Sequence, residues 1–317
     1  MLTVSAVSEA ERFEALSILF EHLPAGERSQ QVDLAQSLAD DGQLQWEGLL
    51  VARENGIVHG VCLTVAQPDG SLGVWIPIVS QAARRLHSQQ QQIVAQALLD
   101  EVGRRQDRSR MAFAQCLLEA TPHEAEGWLA HAGFRRMAEL SFLERDLSRP
   151  LPVIQNGTFE IETFREGVND ERFADLVERS YQQSLDCPDF TGLRTGKEAL
   201  LSHRATGVFH PELWQIFRGD ENDLGVLLCA DHPDLDAWEL AYMGVVPEGR
   251  GQRLGQAMVT QALHGAKNAG RKRMQLAVDS VNTYANAVYK QSGFEEQCRR
   301  TVYLRRLAGS HQQVMDG

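Results

Sequence analysis

The sequence predicts an α/β (α+β) protein built from two copies of one unit, and three observations predict this fold class. Stretches with strand-like alternation of apolar residues precede stretches with helical spacing, and this order occurs twice along the 317 residues. In the second half, a turn rich in glycine and arginine, residues 249–255, joins a predicted strand to a predicted helix. Short sequence matches also recur between the halves at a constant offset, which indicates an internal duplication.

The predicted elements follow from the spacing of apolar residues and from glycine and proline turns. In the first half they are strands at 2–4, 49–53, 57–65, 71–79, 111–118 and 139–147, and helices at 9–23, 90–104 and 123–131. In the second half they are strands at 159–163, 213–218, 224–230, 238–246, 274–278 and 299–304, and helices at 171–183, 256–263 and from Asn282 onward. A proline-bearing linker at 148–152 gives predicted domains 1–150 and 151–309, with a flexible tail at 310–317.

The duplication is visible when residue numbers are subtracted. Residues 94–98 and 259–263 share the pattern V-x-Q-A-L at an offset of 259 − 94 = 165. The same offset relates Arg53 to Arg218 and Gly60–Val61 to Gly225–Val226. Gly133 and Gly293, each followed by phenylalanine, are 293 − 133 = 160 residues apart. About five residues were therefore lost in a loop, where changes of length are tolerated.

The glycine-rich turn is suited to bind a diphosphate. Gly249, Gly251 and Gly255 open the backbone, so that successive N–H groups can point at one anion. The helix that follows adds the partial positive charge of its N-terminus, and Arg250 and Arg253 add full charges. For this motif taken alone, an ordinary strand-to-helix turn is the alternative.

This turn resembles the acyl-CoA pyrophosphate loop of the GNAT superfamily of N-acyltransferases, whose pattern is V-x-P-x-x-R-G-x-G-x-G/A. The matching positions are Val245, Pro247, Arg250, Gly251 and Gly255, and Arg253 stands where a glycine is usual. Residues 282–294 resemble the family's second motif, N-x-x-A-x-x-x-Y-x-x-x-G-F, at every marked position. Two independent motifs in the family's order and spacing make the resemblance specific.

The resemblance implies two tandem GNAT-like domains, each a mixed, mostly antiparallel sheet flanked by helices. It implies an acyl-CoA-dependent N-acyltransferase that passes the acetyl group of acetyl-CoA directly to a primary amine of a small molecule, in the C-terminal domain. Tyr289 matches the family's usual general acid, and a neutral phenol can protonate the departing thiolate because its pKa is about 10. Glu239 stands on the strand before the loop, where several members carry a general base; a surface glutamate is the alternative.

The resemblance also implies how the coenzyme binds. The strand before the loop separates from its neighbour, and the acyl-CoA arm lies in the gap like an extra strand. Gly244 fits a close approach of backbone to ligand, and Asn282 fits a contact to the pantetheine arm or the diphosphate, with a helix N-cap as the alternative. The implied coenzyme-binding residues are Met243, Gly244, Val245, Arg250, Gly251, Gln252, Arg253, Leu254, Gly255 and Asn282.

The first half lacks these groups at the equivalent positions. Leu86 and Gln90 correspond to Gly251 and Gly255, and neither readily adopts the open backbone of a phosphate loop. Leu129 corresponds to the predicted proton donor, which is therefore missing as well. The first half is predicted to be a degenerate domain that is structural or shapes the substrate site.

Composition limits the classes of function. The net charge of −12 argues against nucleic acid as the main partner. The five cysteines are odd in number and scattered, which indicates a reduced, intracellular protein, and the histidines show no metal-ligand spacing. No segment has the pattern of a signal peptide or a transmembrane helix, so a cytoplasmic location without a membrane partner is expected. The oligomeric state stays open.

The acceptor site is predicted to involve the insert at 180–210, a long loop that contains Tyr181, Asp186, Cys187 and His203. Cys187 is expected to be a packed thiol, because no Cys/His arrangement supports a nucleophile. A non-catalytic acyl-CoA-binding or interaction module is the alternative to an enzyme. The tandem length also resembles mycothiol synthases, which act on a glycosyl-cysteine amine, although the first half's loop departs from that pattern.

One coenzyme site per chain is expected, because only the second half keeps an intact loop. Titration calorimetry of the full chain with acetyl-CoA should give a stoichiometry of about one. A substitution at Leu86 should leave this value unchanged, and two equivalent sites per chain would overturn the prediction.

Overall fold

The computed structural model describes residues 1–84, 88–109, 111–119, 123–154, 159–187 and 192–306. The loop position Leu86 and the predicted tail at 310–317 lie outside these residues. The chain divides into two compact units, one formed by Met1–Arg136 with Thr301–Gly317 and the other by Met137–Arg300. In the described ranges, no helix is long and apolar enough to cross a membrane.

The first unit is a mostly antiparallel sheet covered by helices. Its elements are β1 (Thr3–Ala6), α1 (Arg12–Leu19), α2 (Ala25–Asp40), β2 (Leu49–Glu54), β3 (Ile57–Ala66), β4 (Leu72–Val74), β5 (Ile78–Val79), α3 (Gln81–Arg84), α4 (Ser88–Ser109), β6 (Phe113–Leu118) and α5 (His123–His131). Strands β1 to β4 pair antiparallel in order, β5 adds to β3, and β4 pairs with β6 in parallel. Alternate residues of β2 face separate cores: Leu50 belongs to the core with α4, and Leu49 to the core with α1.

The second unit repeats this arrangement. Its elements are β7 (Arg135–Asp146), β8 (Glu160–Thr163), α6 (Asp170–Ser180), α7 (Gly196–Arg204), β9 (Trp214–Arg218), β10 (Asp223–His232), β11 (Ala237–Val245), α8 (Leu254–Asn268), β12 (Arg273–Asp279) and α9 (Thr283–Gln291). The last strand, β13 (Glu295–Arg306), begins in this unit, and its residues from Thr301 onward belong to the first unit. Strands β8 to β11 pair antiparallel in order, β11 pairs with β12 in parallel, and β12 pairs with β7 antiparallel. The predicted mixed, mostly antiparallel sheet flanked by helices is confirmed.

The last strand of each sequence half pairs in the sheet of the other unit. Residues 140–146 of β7, from the first half, pair with β12, and residues 301–306 of β13, from the second half, pair with β6. The compact units therefore divide after Arg136 and after Arg300. The predicted domains, 1–150 and 151–309, follow the two sequence copies instead, and the exchanged strands account for the difference.

The two copies use glycine in the same way. A Cβ on Gly60 would lie 2.8 Å from a side-chain atom of α4, and a Cβ on Gly225 would lie 2.9 Å from a side-chain atom of α8. In both copies the missing side chain lets a helix approach its strand. Gly133 and Gly293, which follow α5 and α9, both have a φ of 83°, the left-handed conformation that ends a helix.

Three helices were not predicted from the sequence, the single turn α3 and the longer helices α2 and α7. Helix α2 has Val32 and Ala35 as its buried residues, so its apolar periodicity is weak. Helix α7 lies inside the insert at 180–210, where Thr195 and Glu198 form a capping box at its start. The interpretation of the insert as one long loop was therefore wrong. Its capping signal was present in the sequence but is only a few residues long.

The exchanged strand β13 should contribute directly to the stability of the first unit. Leu304 is 3% exposed, and Leu304→Ala should lower the free energy of unfolding by about 2–5 kcal/mol, because it leaves a cavity. Leu34→Ala on the exposed face of α2 is the matched control and should change it by less than about 0.5 kcal/mol. Denaturation with hydrogen exchange at β6 measures both effects. Unchanged protection of β6 in Leu304→Ala would contradict the observed pairing.

Candidate active site

A cleft of about 1310 Å³ opens in the second unit where β11 separates from β12. The two strands pair over only three residues, up to Glu239 and Gln275, whereas β12 continues along β7 as far as Asp279. Beyond this point the edge of β11 that faces β12 has no strand partner among the residues that the structure describes. Residues 240–245 of β11 and 277–278 of β12 line the cleft. The gap that was expected beside the strand before the loop is therefore present.

A β-bulge controls which way the side chains of β11 point. The pairing of β11 with β10 shifts register between Leu228 and Cys229, which makes Ala241 the extra residue. Beyond the bulge, Tyr242 packs against α6, and its hydroxyl lies 2.7 Å from Ser180 Oγ. The bulge thus reverses the strand's alternation within the cleft.

The three strand residues predicted to bind the coenzyme, Met243, Gly244 and Val245, all line the cleft. Gly244 also has a packing role. A Cβ at this position would lie 2.3 Å from Ser180 Oγ, so any larger residue would push α6 away from β11. Helix packing therefore accounts for this glycine independently of any ligand.

The predicted phosphate loop presents unpaired backbone donors. The N–H groups of residues 251–256 make no hydrogen bond within the described chain, and the first helical bond of α8 runs from Ala257 N to Arg253 O. Gly251 has a φ of 77° and Arg253 a φ of 60°, so the chain turns twice through the left-handed region. Such a loop at a helix N-terminus gathers N–H donors that bind an anion. The predicted residues Arg250, Gly251, Arg253, Leu254 and Gly255 line the cleft, whereas Gln252 does not.

The left-handed conformation of Arg253 explains why a glycine is usual there. A residue with a Cβ adopts this conformation at a cost of about 1–2 kcal/mol, which glycine avoids. The Arg253 side chain lies on the cleft wall, where its charge is available to a diphosphate.

The Arg250 guanidinium holds the loop to the end of α6. It donates to four backbone carbonyl oxygens, those of Ser180, Gln182, Gln183 and Val245, at 2.7–3.3 Å. A cation at a helix C-terminus stabilises the unpaired carbonyl groups there. The structure thus gives this side chain a positioning role, whereas sequence reasoning gave it a direct phosphate contact.

Tyr289 is brought to the same cleft by α9. Its side chain is 5% exposed and its ring packs edge to face on Phe294, with centroids 5.7 Å apart. Burial, and then the negative charge of Asp186, raise the pKa of the phenol. A raised pKa keeps the hydroxyl protonated at neutral pH, as a proton donor requires.

Asn282 combines the two roles that the sequence left open. Its Oδ1 accepts a hydrogen bond from Ala285 N at 3.2 Å and caps α9. The residue also lines the cleft, and its side chain lies close enough to the Asp186 carboxylate to favour its charged form.

Glu239 is not brought to the cleft wall. Its Oε2 lies 2.9 Å from His232 Nε2, at the closed end of the gap where β11 still pairs with β12. The predicted base and the predicted acid are therefore not gathered on one surface. In a regular strand the side chains alternate between two faces, but the bulge at Ala241 reverses this alternation for the residues after Glu239. Sequence reasoning did not include the bulge.

Cys187 has the features of an unreactive thiol. Burial, followed by the charges of Asp186 and Asp279, raises its pKa. This agrees with the packed thiol expected from the sequence. Across the described residues, no group of three or more His, Cys, Asp or Glu side chains is arranged to hold a metal ion.

Sequence reasoning did not assign Tyr242 to the cleft wall, nor residues 152–154, whereas Asp186 lies in the insert that was predicted to form the acceptor site. Pro152 is held there by its carbonyl oxygen, 2.8 Å from His264 Nε2 of α8. For Tyr242 the signal was the break in alternation around Ala241, which only the pairing with β10 makes visible.

Gly255→Glu should weaken acetyl-CoA binding about 100-fold, because the carboxylate enters the donor-lined loop and excludes a diphosphate. The fold should tolerate the change, since the nearest atom to a Cβ at Gly255 is Met243 Cε, at 3.9 Å. Gly26→Glu in α2, where a Cβ meets no atom within 4 Å, is the matched control. Calorimetric Kd values decide the point, and unchanged binding in Gly255→Glu would contradict the loop assignment.

Known proteins resemble both the site and the whole chain. Residues 179–294 match the model of the acetyltransferase (GNAT) family. Over 309 residues the chain is 24% identical to a mycothiol acetyltransferase of Streptomyces griseus subsp. griseus, covering 92% of this chain and 91% of that protein. A shorter match, 32% identical over 87 residues, is to a mycothiol acetyltransferase of Beutenbergia cavernae and covers 27% of this chain and 29% of that protein.

Solved structures share the fold. A GCN5-related N-acetyltransferase from Sphaerobacter thermophilus aligns with a TM-score of 0.62 at 17% identity, covering 96% of this chain and 95% of that one. A tandem GNAT protein from the clavulanic acid biosynthesis pathway aligns with a TM-score of 0.56 at 14% identity, covering 96% and 98%. The family match contains the strand, the loop and the helix that form the cleft. Residues 179–294 are therefore a domain of the acetyltransferase (GNAT) family, and the protein is a transferase that takes its acyl group from acetyl-CoA.

Proposed function

We propose that the second unit transfers the acetyl group of acetyl-CoA directly to a primary amine of a small molecule. One observation carries this proposal: the unpaired N–H groups of the loop and the buried phenol of Tyr289 lie on the same cleft. The N–H groups suit a diphosphate, and the phenol suits a leaving thiolate. The cleft therefore has the two contacts that a thioester donor needs at its ends.

The chain's own groups have separate tasks in this reaction. The loop and the Arg253 side chain bind the diphosphate, and the unpaired edge of β11 at 243–245 accepts the amide groups of the coenzyme arm. The thioester supplies an activated carbonyl carbon. Tyr289 donates its proton to the sulfur as the carbon–sulfur bond breaks, so that a thiol leaves instead of a thiolate.

The first half has a structural or substrate-shaping role in this proposal. Leu129, which corresponds to Tyr289, is 0% exposed in the core of the first unit, so that a packing residue occupies the donor's place. Because the first half lacks a residue like Tyr289, a non-catalytic acyl-CoA-binding module is the competing hypothesis for the whole chain. The intact loop and phenol of the second unit favour an enzyme.

A glycosyl-cysteine amine is the first acceptor to test. The relative from Streptomyces griseus that aligns with 92% of this chain is named for acetylation of mycothiol. A carboxylate and aromatic side chains on the cleft wall suit an amine of this kind. Simple primary amines such as glucosamine, spermidine and L-lysine complete the panel and test for a different acceptor.

Tyr289→Phe should lower kcat by about 100-fold or more while the Kd for acetyl-CoA changes less than about threefold, because a proton donor is lost without loss of shape. Tyr303→Phe, which removes another buried hydroxyl outside the cleft lining, is the matched control and should retain kcat. The assay is CoA release with each amine.

Since the phenol's pKa is raised, wild-type kcat should not fall through loss of this proton at any pH below about 10. Undiminished turnover in Tyr289→Phe would show that Tyr289 is not the proton donor. Binding of acetyl-CoA without turnover on any amine would favour the non-catalytic acyl-CoA-binding module.

A further inference from the structure

The charged side chains on the described part of the cleft wall stand on different elements. Arg250 and Arg253 belong to the loop before α8, and Asp186 belongs to the segment after α6. Within the described residues, Asp186 is the one carboxylate that lines the cleft. A diphosphate and a cationic amine would therefore meet opposite charges on separate walls of the same cleft.

Hydrogen bonds hold Asp186 in this position. Its Oδ1 accepts from the backbone N–H of Asp279 at 3.0 Å, and Oδ2 of Asp279 accepts from the backbone N–H of Cys187 at 3.2 Å. The side chain of Asn282 also lies close to Asp186 and favours the charged form of its carboxylate. These contacts tie the segment after α6 to the end of β12 and the start of α9. The carboxylate therefore has a fixed place next to the helix that carries Tyr289.

Aromatic residues line the same cleft as this carboxylate, among them Tyr181, Tyr242 and Tyr289. The rings of Tyr181 and Tyr242 meet edge to face with centroids 5.8 Å apart, and the His203 ring lies 5.3 Å from that of Tyr242. Burial first, and the charge of Asp186 in addition, raise the pKa of Tyr181, Tyr242 and Tyr289. A carboxylate among aromatic rings suits an ammonium group, which pairs with the charge and packs on the ring faces.

We propose that Asp186, rather than Glu239, receives the ammonium group of the acceptor and takes its proton. The inference rests on the proposed acetyl transfer. The nitrogen–hydrogen bond breaks as the carboxyl oxygen gains the proton, and the freed lone pair attacks the thioester carbon. The carbon–sulfur bond then breaks, and sulfur takes the phenol proton of Tyr289. A second proton from nitrogen returns to the phenol, so the net products are the amide, the thiol and one proton, which leaves through Asp186.

The surroundings of Asp186 suit both parts of this task. Asp186 is exposed to solvent, which gives the proton a way out, and it also lines the cleft. Burial, opposed by the Asp279 N–H bond, raises the pKa of the carboxyl group. A carboxylate with a raised pKa is a better base for an ammonium group near neutral pH. The titratable groups that interact electrostatically with Asp186 are Tyr181, Tyr242, Tyr289, Cys187 and Asp279.

The test compares Asp186→Asn, Glu239→Gln and the matched control Asp220→Asn in the full chain. Asparagine keeps the oxygen that accepts from Asp279 N and removes the charge. With saturating acetyl-CoA and the amine panel above, Asp186→Asn should lower kcat/KM for the amine by about 100-fold or more. Its Kd for acetyl-CoA should stay within about threefold of wild type, and Asp220→Asn should retain both values. The deficit of Asp186→Asn should shrink as the pH approaches the amine's own pKa, about 8 for an α-amino group and about 10 for a lysine side chain, because more of the amine is then neutral.

Each other outcome overturns the assignment in an identifiable way. If kcat/KM for the amine falls in Glu239→Gln and not in Asp186→Asn, then Glu239 is the base. If Asp186→Asn loses acetyl-CoA binding, or if its kcat/KM is lowered equally at every pH, then Asp186 has a structural role only. Wild-type protein that binds acetyl-CoA and acetylates no amine overturns the proposed function itself, and this inference with it.

Discussion

The separation of β11 from β12 after Glu239 is the constraint on which the site depends. If the two strands stayed paired to their ends, the edge of β11 would be occupied and no cleft would open. Each strand is held from its other side, β11 by β10 and β12 by β7, so the gap does not weaken the sheet. The bulge at Ala241 and the close fit of Gly244 against α6 shape the wall of the gap.

The first half supplies part of this frame, although Leu129 stands at its position equivalent to Tyr289. Strand β7 belongs to the first sequence copy, yet it pairs with β12 over residues 140–146 and so supports one wall of the cleft. Strand β13 makes the reverse contribution to β6. Exchange of strands gives a physical reason for retaining both copies, because each sheet is incomplete without the other half's last strand.

The groups that make up the cleft differ in how they are held. The donors of the phosphate loop are backbone atoms, positioned by two left-handed residues, Gly251 and Arg253, and by the start of α8. Arg250 fastens that loop to the end of α6, and the segment after α6 is fastened in turn to β12 through Asp186 and Asp279. The coenzyme loop and the acceptor wall are thus connected through one helix end. Such preorganised support limits the rearrangement needed when both substrates bind.

The sequence by itself determined the features that local backbone geometry encodes. The glycine and arginine turn, the α9 helix with Asn282 at its cap and Tyr289 on its buried face, and the duplicated order of elements all depend on residues close together in the chain. The tertiary structure decided what depends on distant partners. Register with β10 places the bulge and leaves Glu239 beside His232. The N–H group of Asp279, 93 residues away, holds Asp186 on the cleft wall. The strand exchange depends on which strand edges pair, and no local sequence pattern distinguishes one edge from another.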